Sequence, residues 1–552
     1  NLRSFGGKLS FFLQPLTDIH LRSNLQGDFA SQGDLKHLYL FIGIAVFVMF
    51  IAVINFINLT TANSSVRNKE IGIRKIIGSS RVQLAFQFLL ESVILCFLAV
   101  LISISLVEII RPDFRELFGT HVDIDYLHPL HMALIIFIFP FLIGILAGIY
   151  PAIFLSELKP VLILKSTYAK VTRKAKLRSI LVIFQFSVSI ILIISTLTIF
   201  NQINFMKFSD PGFRKESIIV IPGVRQLLGE NTLEALRKSM QEIPEIESVG
   251  FSSLFPGRGI QKALMFPEGF REDHPQMGEK LFIDTGFIPT MGIEIVNGRN
   301  FSIDRYSDPS TSVLINQTAA IRFGWDEPLG KSFTLKSADG SSSKMQVIGV
   351  VRDFHSTSLH NKIEPLIFYN DENRTNYMIL FINSHNIKKT IVLLKEKLRI
   401  LAPEHLMTYY FLDETLNNMY RKDIQTGKLA LYFSIIAINL ACLGLLGLTS
   451  FMVQNRAKEI GVRKVLGSSV AEIIILLSKE FCKLVIISIA ISWPISYFIL
   501  DSWLQNFAYC KGIDFSVFIY SAVIALLISL ITISSQTIRI ALSDPVNNIK
   551  YE

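Results

Sequence analysis

Disulfide and metal chemistry have little to work with in this sequence. Only four cysteines occur in 552 residues. Cys96, Cys442 and Cys482 lie in apolar runs and Cys510 in a short loop, without CxxC or metal-ligand spacing, which argues against a disulfide framework. His274, His355 and His360 are dispersed and no HExxH occurs, so they read as surface histidines, and no metal or other cofactor is expected. A nucleotide-binding loop is missing as well. The nearest match, Gly324 to Ser332 (GWDEPLGKS), places five residues between its glycines where about four are required; Gly330 reads as a turn residue. No polar constellation suits acid/base or nucleophilic chemistry, so an enzyme is not expected. Charge is scarce too, at 18% of residues against roughly 25% in soluble proteins.

What is present is apolar surface. Half the residues are hydrophobic, 43 of them Phe, and the mean hydropathy is +0.44. This composition points to an α-helical integral membrane protein in contact with the lipid bilayer. The net charge of +9 could suggest a nucleic-acid partner. The Lys and Arg residues, however, gather in short loops between apolar runs, as the positive-inside rule expects of cytoplasmic loops, so no nucleic acid is expected.

Seven apolar runs are long enough to cross roughly 30 Å of hydrocarbon: one of about 20 residues in the band 38–62, then 84–110, 132–155, 179–200, 428–453, 473–500 and 515–538. Basic loops after the first run (Arg67, Lys69, Arg74, Lys75, Arg81) and at 156–178 (Lys159, Lys165, Lys170, Arg173, Lys174, Lys176, Arg178) are assigned to the cytoplasm. The amino end then falls outside and the carboxyl end inside. Residues 201–427 contain no spanning run. They mix strand-like stretches (217–221, 246–253, 345–351) with helical ones (233–243 and 387–401, the latter with Ile387, Ile391, Leu394 and Leu398 on one face), which predicts a large extracytoplasmic α+β domain.

A basic stretch occurs twice. Lys69–Ser80 reads KEIGIRKIIGSS and Lys458–Ser469 reads KEIGVRKVLGSS, differing only among Ile, Val and Leu, and each copy lies between apolar runs. Pro160, Val161 and Lys165 recur at the spacing of Pro545, Val546 and Lys550. The chain therefore divides into residues 1–37, a remnant of a first extracytoplasmic domain; 38–178, a first unit of three spans; 179–200, a span opening a second unit; 201–427, the α+β domain; and 428–552, three further spans. The repeat predicts an eighth span ahead of residue 1. In each copy Ile73, Ile76 and Ile77, or Val462, Val465 and Leu466, share one side of a short helix across the cytoplasmic mouth of two spans. Gly78 or Gly467 ends it in the left-handed conformation. Arg74, Lys75, Arg463 and Lys464 flank that side. Such a helix suits a membrane-surface anchor, but the shared residue order, including Glu70 and Glu459, suits docking to a symmetric partner.

Glu91 and Glu480 stand thirteen residues past the two glycines. Pairing with a basic residue of the repeated stretch is the favoured reading, with a proton relay or a solvated interfacial acid as alternatives. Pro140 and Pro494 inside spans predict kinks, as hinges or as structure alone.

The repeated stretch, the duplication and the three spans after a large outer domain resemble the FtsX and MacB type of ABC transporter permease, in its form with two permease units in one chain. LQPLTDIHL at 13–21, QFLLES at 87–92, YPA at 150–152, GRNFS at 298–302 and VIGVVRDFH at 347–355 look like landmarks of that family, and the resemblance covers essentially the whole chain. It implies that the segments containing Glu70, Gly72, Arg74, Lys75 and Gly78, and Glu459, Gly461, Arg463, Lys464 and Gly467, are coupling helices docking onto a separate cytoplasmic ABC ATPase dimer. The implied setting is a bacterial inner membrane. The implied role is mechanotransmission, in which ATP hydrolysis moves outer domains to export or extract a substrate, with a periplasmic adaptor or outer-membrane channel as a further partner. The alternative is a non-transporting transmitter that regulates a cell-wall hydrolase or a sensor. The second unit lacks YPA, its equivalents falling near Ser535 and Gln536, which puts the bending of the final span in doubt.

Overall fold

The computed structural model describes residues 13–16, 18, 35–118, 130–156, 172–228, 232–271, 275–302, 311–336, 342–383, 386–403, 407–456, 459–460, 462–463 and 466–541. Most of the expected remnant 1–37, the 157–171 loop, the carboxyl-terminal Pro545–Lys550 match, His274, Gly461 and Lys464 lie outside the described residues. The chain forms two compact units: residues 202–424 with 503–511, and the remaining helical segments.

The helical unit begins with α1 (Leu35–Ile76), α2 (Arg81–Phe118), α3 (Leu130–Ser156) and α4 (Thr172–Phe208). Helix α1 is 42 residues long. It runs on past the apolar band into the first KEIG copy, which corrects the expectation of a separate short helix there. The physical reason is plain in LTTANSSVRNK at 59–69: the stretch is polar enough to leave the lipid but holds neither Pro nor Gly to stop a helix. Helices α2 and α3 meet at Gly144 and Gly148. A Cβ on Gly144 would sit 2.7 Å from Val93 Cα, and one on Gly148 would sit 2.8 Å from Ser92 Oγ, so the missing side chains set the close approach. Helix α3 continues through Pro140 and Pro151.

Among the described residues the α+β unit is built on one mixed sheet of eleven strands. β1 (Ile218–Pro222), helix α5 (Leu233–Gln241), β2 (Ile246–Ser252), β3 (Gln261–Met265), β4 (Gln276–Ile283), β5 (Ile295–Gly298), β6 (Ser312–Asn316), β7 (Ser332–Lys336), β8 (Ser342–Val351), β9 (Leu366–Asn370), β10 (Tyr377–Ile382), helix α6 (Ile387–Leu401), β11 (Tyr410–Phe411) and helix α7 (Leu412–Met419) follow in order. Across the sheet the order is β11-β1-β10-β2-β4-β9-β6-β8-β5, with β3 on β4 and β7 on β8. Alternate residues of β1 serve two cores. Ile218 and Val220 pack with Phe255, Phe287 and Leu412, while Ile219 and Ile221 pack with Met240 of α5 and Leu394 and Leu398 of α6. A third core gathers Phe282, Val313, Ile315, Phe333, Val347 and Ile367. The two halves of the sheet join at a single pair, Ser252 with Ile283.

The helical unit closes with α8 (Arg421–Asn455), α9 (Val470–Leu504) and α10 (Phe515–Ala541). Helix α4 is the hub of its core. Val182, Phe186, Ile190 and Ile194 are buried against Ala441, Leu445 and Leu448 of α8, Phe481 and Val485 of α9, and Val517 and Phe518 of α10. Hydroxyls stitch the same faces: Ser488 Oγ donates to Ile183 O at 3.0 Å, Ser492 Oγ to Ser187 O at 3.1 Å, and Thr196 and Ser434 share a 2.8 Å bond. Bonds of this kind are worth about 0.6 kcal/mol each in a membrane.

Among the described residues six helices are long and apolar enough to cross a membrane, with spans at 41–60, 81–115, 132–149, 179–208, 421–450 and 515–538. The seventh expected span, 473–500, lies in α9, a 35-residue helix that continues through Pro494. Its opening turns carry Glu472, Lys479, Glu480 and Lys483.

Candidate functional site at the repeated corners

Each repeated stretch folds into the same corner between two long helices. In the first copy Ser79 N donates to Arg74 O at 3.0 Å and Gly78 N to Lys75 O at 3.2 Å; in the second Ser468 N donates to Arg463 O at 2.9 Å. Gly78 and Gly467 have φ of 109° and 94°, so both glycines end their helix in a positive-φ conformation closed to side-chain-bearing residues without strain. The next helix starts three residues later. Ser80 N donates to Gln83 Oε1 at 2.9 Å while Gln83 N donates to Ser80 Oγ at 3.3 Å. Ser469 and Glu472 repeat the reciprocal pair at 3.3 and 3.2 Å. These are capping boxes, legible as S-x-x-Q and S-x-x-E but missed when the stretch is read only as far as its second serine. In the second copy, Glu459, Ile460, Val462 and Arg463 are helical, and Ile460 N donates to Arg456 O at 2.9 Å.

The corners are anchored from beneath and open outward. Leu84 and Phe88 of α2 are buried with Ala152 of α3, and the equivalent Ile473 and Leu477 of α9 are buried with Ile460. That contact gives the YPA landmark a packing role, since Ala152 follows Pro151. Ile73 (57% exposed), Ile76, Ile77 (79%), Val462 (54%) and Leu466 (79%) remain uncovered. Arg74 Nη1 donates to Gln87 Oε1 at 2.7 Å, and Arg463 Nη2 to Glu459 Oε1 at 3.0 Å. Burial, aided by Arg81, lowers the Lys75 pKa from its ordinary value. Glu480 pairs with Arg456 at 2.9 Å, a basic residue that lies two positions ahead of the repeated stretch rather than within it. Glu91 is in α2 at the equivalent position, and the equivalent of Arg456 is Arg67. Glu70 and Gly72 lie in the last turns of α1.

The landmarks in the α+β unit prove to be mutual packing. Arg299 N donates to Ile348 O at 3.0 Å, and a Cβ on Gly349 would collide with Arg299 O, so GRNFS and VIGVVRDFH lie edge to edge. Asp353 accepts from Thr318 N at 2.9 Å and Thr318 Oγ1 at 2.7 Å. Gly330 has φ of 83°, as a turn residue can.

A second constellation, absent from the sequence expectations, involves the 503–511 loop between α9 and α10. Ala508 N and Tyr509 N donate to His360 O and Leu359 O, each at 3.2 Å. Gln202 holds the same loop with both ends of its amide: Nε2 donates to Tyr509 O at 3.0 Å and Oε1 accepts from Lys511 N at 3.1 Å. The rings of His360 and Phe507 lie 4.3 Å apart, and those of His355 and Tyr509 4.8 Å. His360 also meets Ser358 Oγ at 2.7 Å and Asp423 at 3.5 Å. Burial pulls the His355 pKa down, against Asp353 and Asp210. These two histidines are therefore packing residues of the clamp rather than free surface groups.

The family description "FtsX-like permease C-terminal" matches residues 42–160 and again 431–543, and "MacB-like periplasmic core domain" matches 179–399. Among curated proteins the chain is similar to the macrolide export ATP-binding/permease protein MacB of Agrobacterium fabrum (strain C58 / ATCC 33970). The two are 29% identical over 125 residues, an alignment covering 21% of this chain and 18% of that protein, so the match spans less than a fifth of the relative. Among solved structures it is similar to the periplasmic region of MacB from Actinobacillus actinomycetemcomitans (14% identity, TM-score 0.26, 37% of this chain and 93% of that one). It is also similar to the extracellular domain of the noncanonic ABC-type transporter YknZ from Gram-positive bacteria (16%, 0.24, 35% and 96%).

Proposed function

Since this chain is an ABC transporter permease of the FtsX/MacB type, carrying both FtsX-like halves and the MacB-like core domain, we propose that its two corners dock a separate ABC ATPase dimer on the cytoplasmic side. In this reading the α+β unit lies on the outer face and the carboxyl end is cytoplasmic. ATP-driven closure of the dimer brings the corners together, and the long helices carry the displacement to the outer unit, which does mechanical work on a substrate to be exported or extracted. No nucleotide is hydrolysed by this chain itself.

One observation carries the proposal: the same corner is built twice, by the same glycine cap and capping box, and both copies leave their apolar side uncovered beside an arginine. Two equivalent corners on one chain fit one two-fold ATPase dimer. An exposed apolar group ringed by basic side chains is the anatomy of an interface, with an apolar centre and a polar rim. The test is a pull-down of the ATPase by the full-length protein in mild detergent. Ile77→Glu with Leu466→Glu, or Arg74→Glu with Arg463→Glu, is expected to cut recovery at least tenfold while the permease still elutes as a monodisperse species. Undiminished recovery refutes the docking assignment. The proteins that co-purify on the outer side separate work on a substrate, which predicts an adaptor or channel, from regulation of a hydrolase or sensor.

A further inference from the structure

The two permease halves meet where residues at matching repeat positions face each other. With KEIG laid on KEIG, Asn55-Phe56-Ile57-Asn58-Leu59-Thr60 of α1 aligns without a gap on Gly444-Leu445-Leu446-Gly447-Leu448-Thr449 of α8. Asparagines in one half thus stand where glycines stand in the other. A Cβ on Gly444 would collide with Asn55 Oδ1 and lie 2.8 Å from both amide atoms of Gln185 of α4; one on Gly447 would lie 2.6 Å from Leu59 Cδ2. Asn55 Nδ2 and Gln185 Nε2 both donate to Leu440 O, the second at 2.8 Å.

The amide donors of Asn55 and Gln185 are satisfied at this seam, and several of its other polar atoms are not. Among the described residues, Asn55 Oδ1, Gln185 Oε1, both polar atoms of Asn58 and Thr449 Oγ1 have no hydrogen-bond partner, and they belong to residues at most 4% exposed. Unpaired amides at membrane depth are expensive, and an apolar side chain of similar shape would hold the same helices more cheaply. A polar network left half satisfied in one arrangement is suited to a second arrangement that satisfies it.

We propose that this seam is a switch between the two halves of the chain. It is closed here, with Leu59 seated against Gly447 and the amides against Gly444. It opens or slides when the ATPase draws the corners together, and Asn58, Thr449 and the free amide oxygens then gain partners, on protein or water. The unequal sequences also direct the pairing: α1 against α1 of a second copy sets amide against amide with no glycine notch to receive it, so the seam joins halves of the same chain. The inference rests on the ATPase reading above for its drive, but not for its geometry, so the two can fail separately.

The test uses full-length protein in lipid nanodiscs with its ATPase. The four native cysteines are replaced by serine, and Leu59→Cys is combined with Gly447→Cys. Leu59 Cα lies 3.8 Å from the Cβ position of residue 447, close enough for a disulfide, and Leu59→Cys itself removes the longer side chain that a Cβ at 447 would strike. Without nucleotide the cross-link is expected to form rapidly and to leave a chain of monomer size; trapping the ATPase with ATP and vanadate is expected to slow it at least tenfold. Asn58→Leu, which removes the orphan amide, is expected to abolish that nucleotide effect while ATPase recovery stays normal. Gly444→Ala is expected to slow cross-linking even without nucleotide. A rate that is the same in every nucleotide state with the ATPase bound overturns the switch, as does a dimer-sized product. Loss of ATPase binding in the unmutated protein would instead overturn the docking proposal, leaving the nucleotide-free cross-link to report the seam.

Discussion

Removing the carboxylate of Asp284 is expected to loosen the joint between the two halves of the eleven-stranded sheet. Asp284 follows β4 directly, beside the one residue pair that connects β2 to β4. Its side chain is fully buried and accepts from Phe251 N at 2.7 Å, from Gly286 N, and from Arg237 Nη2. Arg237 is only 11% exposed; it also bonds Glu234 at 2.6 Å and faces the Phe251 ring. Asp284→Ala therefore leaves a nearly buried guanidinium with one outer partner and a buried backbone N–H with none. Breaking a buried pair from one side costs about 3–5 kcal/mol. For a unit of this size, about 2–4 °C per kcal/mol gives a fall of roughly 6–20 °C in Tm. Differential scanning calorimetry of the purified full-length protein reads it. Glu234→Ala, which loses a half-exposed partner, should cost less than about 1 kcal/mol. In a double-mutant cycle, Arg237→Ala with Asp284→Ala should cost less than the sum of the single changes by at least about 1 kcal/mol. Burial raises the Asp284 pKa despite Arg237. The native state thus holds this proton more firmly than the unfolded chain, and the group's contribution declines as pH climbs through its native pKa. A Tm drop below about 2 °C for Asp284→Ala, or strict additivity in the cycle, refutes the reasoning.

Gly78→Ala and Gly467→Ala should each destabilise a corner by about 1 kcal/mol, because an alanine resists the positive φ both sites require; together they should weaken ATPase capture more than either alone. Glu279→Gln should raise the Tm at pH 7 and flatten its dependence on pH. Burial and then Glu364 push the Glu279 pKa up, so its contribution is present below the ordinary glutamate value and fades as pH rises through the native one. A steeper profile in the variant would refute this. Gln202→Leu, which frees Tyr509 O and Lys511 N, should raise tryptic cleavage after Lys511 about tenfold through local opening; an unchanged rate would show that the ring contacts and the Ala508 and Tyr509 backbone bonds hold the loop without the amide.

Much of the fold is readable in the sequence, for reasons that individual segments make clear. The helix over 387–401 and the strand at 246–252 follow from local periodicity, and the two positive-φ glycines follow from their place after an apolar pair. The end of α1 escapes such a reading because hydropathy reports where lipid ends, not where a helix ends. The parallel pairings of β4 with β9 and β6 with β8 join residues 34 to 87 positions apart and leave no local signature. Asn55 and Gly444 are alignable from the repeat alone, but their facing each other is a property of packing. The clamp on 503–511 is invisible in the sequence because its grip is backbone and amide, on residues of no special type.

The length of α1 carries a mechanical consequence. The helix contains no proline and no glycine between Gly43 and Gly72, so it is stiff through its middle. Asn55 stands near its midpoint, 20 residues after Leu35 and 21 before Ile76, or about 30 Å from either end at the rise of an α-helix. A rod held at its centre by the Gly444 notch is a lever with equal arms. A push of a given size on the Gly78 end returns a swing of about the same size, in the opposite direction, at Leu35, and moving that fulcrum along α8 would change the ratio.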